Sequence, residues 1–183
     1  MGASWEPGDL VFCHTKGIFG SAIRFGEWLR FREGSFWSHV AILIRPHGDD
    51  WVIGEAVARG VRLSLLSTVA IGGTYEIVSL PYAANRSKSL EFVDGELRDG
   101  YGFLTIVYEV LRILLPRWFP LPTFRMRSTW ICSALAGESA RCAGWIHRWG
   151  SIYDPVPSEL YAAFKNTTAK GAYSASTCST QEG

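Results

Sequence analysis

Three features of this sequence predict an α+β fold in which an antiparallel sheet packs against helices. Short apolar runs rich in β-branched residues, punctuated by Gly, Pro and Asp, fill the N-terminal part of the chain. From Asn85 onward the apolar residues fall at helical spacing between charges. With 183 residues, 48% of them hydrophobic, the chain can bury one substantial core, and a second domain would be cramped.

Pro7-Gly8-Asp9 reads as a turn and residues 10–14 as the first strand. Over residues 17–31, Ile18, Ala22, Phe25 and Leu29 recur at helical spacing, with Arg24, Glu27 and Arg30 placed to face water. Glu33-Gly34-Ser35 ends that helix and delivers F-W-S-H-V-A-I-L-I, in which Val40, Ile42 and Ile44 favour a buried strand with His39 at its mouth. Residues 45–50 form a hairpin-like loop, and residues 51–58 return antiparallel, carrying Glu55. Arg59-Gly60 turns again, and strands over residues 61–65 and 75–80 complete one sheet.

A helix then opens at Asn85 and ends by Asp99-Gly100, with Leu90, Phe92, Val93 and Leu97 as its apolar residues. Residues 103–115 read as a buried or interfacial helix, and Pro116, Pro120 and Pro122 forbid regular structure after it. Ser128 or Thr129 is placed to cap a helix that starts near Trp130 and includes Cys132. Its Ala134, Ala136, Gly137, Ala140 and Ala143 would let it sit close against the sheet. Pro157-Ser158-Glu159-Leu160 opens a last short helix to Phe164. The expected division is one domain over residues 1–166 and a polar tail, 167–183, too poor in apolar surface to fold alone. Such a tail is expected to be held by a protein partner or a neighbouring subunit.

Composition excludes several classes. Eighteen basic and 17 acidic residues give a net charge of +1, so no whole-molecule field draws the chain to nucleic acid or to an anionic membrane. The most hydrophobic run, residues 103–115, contains Glu109 and Arg112 and falls short of the ~20 residues a membrane helix needs, so no transmembrane segment is expected. The first residues lack the basic and apolar regions of a signal peptide. That predicts a cytoplasmic location at synthesis, with any export by carriage in a particle, as a virion-associated protein, or through a lysed membrane. Cys13, Cys132, Cys142 and Cys178 are too few and too far apart for a disulfide scaffold, which predicts free thiols.

Among these, Cys132 is the strongest nucleophile candidate. It lies in the first turn of a predicted helix, where unpaired backbone N–H groups and the helix dipole stabilise a thiolate. Such a cysteine needs a base, and the base an orienting acceptor on its other ring nitrogen. His39 and Glu55, on successive antiparallel strands, suit those roles. Each residue also has an ordinary alternative: a packed apolar cysteine, a satisfied core histidine, and a strand glutamate opposite an arginine. A zinc site of Cys13, His14, Cys132, Cys142 and His147 lacks any C-x₂-C pair, and its last two members, five apart, leave one helical face. Arg112, Arg117, Arg125 and Arg127 flank the proline-rich stretch and could contact a carboxylate or lipid phosphate, or simply face solvent.

G-D-L-V-F at 8–12, S-H-V-A-I at 38–42 and V-I-G-E-A at 52–56, in that order, resemble the NlpC/P60 superfamily of papain-like cysteine hydrolases. No cysteine precedes the first of these motifs, whereas W-I-C-S-A-L at 130–135 and P-V-P-S-E-L at 155–160 come late. The resemblance is therefore to the circularly permuted branch, similar to the YiiX/YaeF-type amidases and more distantly to lecithin:retinol acyltransferase. It implies a papain-like fold over most of residues 8–164, with Cys132 as nucleophile, His39 as base and Glu55 as the polar third member. It also places Tyr101 at the oxyanion or substrate site, although a tyrosine ending a turn is more often packing. The implied chemistry is acyl transfer through a thioester, with no metal and no cofactor.

Three functions follow. The first is an amidase or peptidase acting on peptide or isopeptide bonds, such as those of peptidoglycan. The second is a lipid-directed acyltransferase or esterase with the same triad, marked by an apolar groove along residues 103–124. The third is a papain-like domain used as a structural subunit of a virion or secretion device. The catalytic readings share one geometric expectation, Cys132 Sγ about 3–4 Å from one ring nitrogen of His39 and Glu55 near the other.

Overall fold

Strict alternation along the first strand sets the layers of the molecule. In β1 (Leu10–His14), Leu10 and Phe12 point into one apolar cluster and Val11 and Cys13 into another, so the sheet is covered on both faces. The computed structural model describes residues 5–14, 36–57, 59–70, 73–80, 84–97, 99–101, 129–145 and 157–168. The helices expected over 17–31 and 103–115, the proline-rich segment and the tail beyond residue 168 lie outside the described residues.

β2 (His39–His47), β3 (Asp50–Val57), β4 (Gly60–Leu65) and β5 (Thr74–Val78) join β1 in a five-stranded sheet of order β4-β3-β2-β1-β5. Every pairing in it is antiparallel. The expected α+β class, with an antiparallel sheet and helices against it, is thus what the chain forms.

β2 runs three residues further than its sequence suggests, through Pro46 to His47, and turns at Gly48-Asp49 into β3. Proline normally excludes itself from a central strand because it has no N–H to donate. Here β1 accompanies β2 only as far as the Leu10–Ile42 pair, so Pro46 pairs with Trp51 on one side alone. The register with β3 shifts between Leu43 and Arg45, and Gly48 takes φ of 60°, a left-handed turn conformation that glycine adopts without strain. β5 ends at Val78 rather than at residue 80. Ser79 and Leu80 instead donate to the buried Asp9 carboxylate, at 3.2 and 3.0 Å.

A short helix that the sequence did not suggest, α1 (Leu66–Val69), follows β4 and packs Leu66 into the Val11–Cys13–Ala41–Leu43–Ile53 cluster. α2 (Arg86–Gly95) is capped by the Asn85 side chain, which accepts from Lys88 N at 3.3 Å. β6 (Gly100–Tyr101) and β7 (Thr129–Trp130) form a small parallel pair, and α3 (Cys132–Cys142) and α4 (Pro157–Thr168) follow. α4 continues four residues beyond the expected Phe164 and two beyond the expected domain limit.

α3 and α4 cover the opposite face of the sheet, where Leu135, Ala136, Ala140, Leu160 and Phe164 join Leu10, Phe12, Val40 and Ile42. The small residues of α3 allow the close approach, and the Ser89 and Ser139 hydroxyls pair at 2.6 Å between α2 and α3. Gly54 admits α2 in the same way, because a Cβ there would lie 2.7 Å from Val93 Cγ1. Gly54→Ala should therefore cost about 1–3 kcal/mol of stability through overpacking, read as a lower urea midpoint at unchanged m.

Candidate active site

His39 is fixed by its place at the start of β2, directly opposite Cys13 of β1. The preceding Ser38 donates its backbone N–H to Cys13 O at 3.0 Å, which pins the entry to the strand. Along β2 and β3, Ile42 faces Gly54. Continuing that register by one residue puts Glu55 on the face of the sheet that carries His39, one diagonal step away. Glu55 Oε2 lies 2.9 Å from His39 Nε2, with the glutamate side chain 2% exposed and the histidine 13%. An ionised carboxylate only accepts, so Nε2 carries the hydrogen of this bond.

The second oxygen of Glu55 is held just as firmly. Oε1 accepts from Arg62 Nε and Nη2, at 3.1 and 2.9 Å, and from Ser64 Oγ at 2.6 Å. Burial opposes the charge on Glu55, but these bonds and His39 outweigh it and hold the carboxyl down at about 2. Arg62 and Ser64 were not identified from sequence. The usable signal was the hairpin itself: Val57 pairs with Gly60, which sets Arg62 opposite Glu55 and Ser64 opposite Ile53.

Cys132 reaches His39 by a route outside the main sheet. Val61 N donates to Asp99 O at 2.9 Å, tying the start of β6 to β4, and β6 pairs with β7. β7 thus brings the chain to the edge strand beside Glu55, and α3 begins two residues later. Cys132 is the first residue of α3 and so lies in its first turn, as expected, although the helix starts two residues later than Trp130. Thr129 does not cap the helix as expected, and Ser128 lies outside the described residues. Thr129 is in β7, and the cap position is Ile131, in extended backbone with no side-chain cap bond. The first intrahelical bond runs from Leu135 N to Ile131 O at 3.0 Å. The N–H groups of Cys132, Ser133 and Ala134 are therefore not used by the helix itself and mark its positive end.

Cys132 lies close enough to His39 for its side chain to act on the ionisation of the ring. Glu55 occupies Nε2, so Nδ1 is the ring nitrogen left for Cys132. Burial disfavours the charged ring, yet the contacts to Cys132 and Glu55 push His39 up to about 10, so it is an imidazolium at neutral pH. The structure places Cys132, His39 and Glu55 in one neighbourhood. Tyr101 is placed by its backbone opposite Trp130 in the β6–β7 pair, and the expected oxyanion role of its side chain lies outside what is described.

A second thiol, Cys13, sits beside the triad and was not singled out as part of it. It is free and almost fully buried, and burial, followed by the charges of Glu55 and Cys132, pushes it up to about 12. Burial thus keeps the Cys13 thiol protonated. Cys142, at the far end of α3, is disulfide-bonded, which overturns the expectation that all four cysteines are free. Sequence spacing carries no information on which distant positions meet in space.

Among the described residues no group of three His, Cys, Asp or Glu side chains could hold a metal ion. No helix among them is long and apolar enough to cross a membrane. Comparison with known proteins brought no family model and no curated protein that matches this chain.

Proposed function

We propose that this protein is a papain-like cysteine hydrolase that cleaves amide bonds through Cys132, His39 and Glu55. One observation carries the reading: a single partly buried imidazole bonds Glu55 through Nε2 and has Cys132, the first residue of a helix, as its other close side-chain partner. In this reading the Cys132 thiolate attacks the substrate carbonyl carbon while the α3 N-terminal N–H groups stabilise the oxyanion that forms. The His39 imidazolium gives its Nδ1 proton to the leaving amine, and the C–N bond breaks to leave a thioester on Cys132. Neutral His39 then takes a proton from water, the resulting hydroxide equivalent attacks the thioester, and the carboxylic acid leaves as the thiolate–imidazolium pair is restored. Glu55 holds the ring in the tautomer that presents Nδ1 to sulfur and balances its charge throughout.

The favoured substrate class, peptide or isopeptide bonds of the peptidoglycan type, rests on the resemblance of the three N-terminal motifs and the late Cys-Ser motif. An apolar groove that would favour a lipid substrate is expected along residues 103–124, which lie outside the described residues. A role as a virion or secretion-device subunit depends on a partner for the tail and is compatible with catalysis.

The test needs no substrate. Iodoacetamide should alkylate Cys132 rapidly below pH 7 while Cys13 stays unmodified, and His39→Ala should abolish that selectivity. Labelling of Cys132 as slow as that of Cys13, or unchanged in His39→Ala, would rule the reading out.

A further inference from the structure

Trp51 and Leu66 lie on the sheet face that carries Cys13, and Tyr75, opposite Cys13 in register, projects to the same side. Here α1 and the segment entering β1 border a groove of about 420 Å³, within the size range of small-ligand sites. Trp5, Trp51 and Tyr75 give it three aromatic rings, and Asp49 and Asp50 give it two carboxylates. Trp5 and Tyr75 remain 40% and 39% exposed, and their rings stand nearly perpendicular, with centroids 6.4 Å apart. They form two walls at right angles rather than a closed stack.

The groove itself is lined by negative charge only, with His47 standing opposite Asp50 in register just outside the lining. Among the described residues, no lysine, arginine or histidine lines the groove. Asp50 is fixed by backbone donors, Trp51 N at 2.7 Å and Ser67 N at 3.3 Å. Hydrogen bonds from Ser67 and Trp51 hold its carboxyl below the usual range, so its charge persists. Aromatic faces are negative, carboxylates are negative, and an apolar wall beside both suits a cation carried on carbon. An anion would be repelled, and a neutral ligand would leave the charge of Asp49 and Asp50 uncompensated.

We propose that this groove binds an organic ammonium group, primary or quaternary, seated against Trp5, Trp51 and Tyr75 and neutralised by Asp49 and Asp50. The site does not depend on the catalytic reading. Cys132→Ser, which removes the alkylated sulfur, should leave it intact.

Titration calorimetry on the full chain with choline, and with 3,3-dimethylbutan-1-ol as its neutral isostere, tests the charge requirement. Choline should bind about 10-fold more tightly than the isostere, as cation–π contacts to several rings together with carboxylates would give. Asp49→Asn and Tyr75→Leu, both at exposed positions, should each weaken choline binding several-fold without moving the thermal midpoint. Binding of choline and n-butylamine without association to phosphatidylcholine vesicles would mark a soluble amine as the source. Vesicle association that choline displaces would mark a lipid headgroup. Equal affinity for choline and its isostere, tighter binding of an N-acetylglucosamine oligomer than of choline, no choline binding, or indifference to both substitutions would overturn the proposal.

Discussion

Glu55→Gln is expected to reduce the proposed amide hydrolysis by a factor on the order of 10⁴, the scale seen when the orienting carboxylate of a catalytic triad becomes an amide, and to slow Cys132 alkylation toward the rate of an ordinary thiol. The substitution keeps the volume of the side chain, and its oxygen can still accept from Arg62 and Ser64, which now bond Oε1. What changes is the atom facing His39. In place of the acceptor at 2.9 Å stands an NH₂ group that can only donate. His39 must then offer a lone pair at Nε2, so its hydrogen moves to Nδ1, and the neutral ring faces sulfur as a donor with no basic nitrogen free. Alkylation at the wild-type rate would show that Glu55 does not orient His39.

The same pair fixes a pH dependence. The folded-state value of His39 is raised from 6.5 to about 10, so its contribution to stability is complete below pH 6.5 and is lost as pH rises through about 10. Glu55 is lowered from 4.5 to about 2, so its contribution is present above pH 4.5 and is lost as pH falls toward 2. The urea midpoint should therefore decline between pH 6.5 and 10 in the wild type and decline less in Glu55→Gln.

Asp9→Ala should be the most damaging substitution for stability, at about 3–5 kcal/mol, because it removes one partner of a buried ion pair. Asp9 is fully buried, and its oxygens accept four hydrogen bonds: from Glu6 N at 3.0 Å, Ser79 Oγ at 3.2 Å, Leu80 N at 3.0 Å and Arg86 Nη1 at 2.6 Å. One carboxylate thus ties the entry to β1, the exit of β5 and the first turn of α2. With alanine there, Leu80 N and part of the Arg86 guanidinium lose their acceptor. Arg86 keeps Glu6 Oε2 at 3.0 Å and Pro7 O at 2.9 Å. The thermal midpoint should fall by on the order of 10 °C, with Asp9→Asn recovering part of the loss. A loss under about 1 kcal/mol would place this carboxylate among surface ion pairs of little worth.

The two cases differ in how much of each was visible in the chain. Glu55 could be picked out because an antiparallel return after a short loop and strand alternation are local rules, and they suggest Glu55 near His39 without knowledge of anything distant. Asp9 could be read only as part of a turn, since its partners at 79, 80 and 86 are some seventy or more positions away. Arg62 and Ser64 fall between these cases, reachable from the β3–β4 register once the turn length is known. The start of α3 was misread for a related reason. Serine and threonine are good caps in isolation, but pairing of Thr129 with Gly100 draws that residue into a strand and moves the cap to Ile131. Pro46 was misread because whether a strand tolerates proline depends on how far its neighbour extends.

By itself the sequence determined that β1 to β5 are strands and that α2, α3 and α4 are helices, because periodicity 2 and periodicity 3.6 are written in nearest-neighbour order. It also nominated the three side chains capable of nucleophilic chemistry. Tertiary structure alone decided that Cys132 meets His39, through the β4–β6–β7 path that closes a separation of more than ninety residues, and that Cys13 lies beside them as an inert thiol. The physical reason is that hydrogen-bond register and burial are properties of pairs. No residue carries them until its partner has arrived.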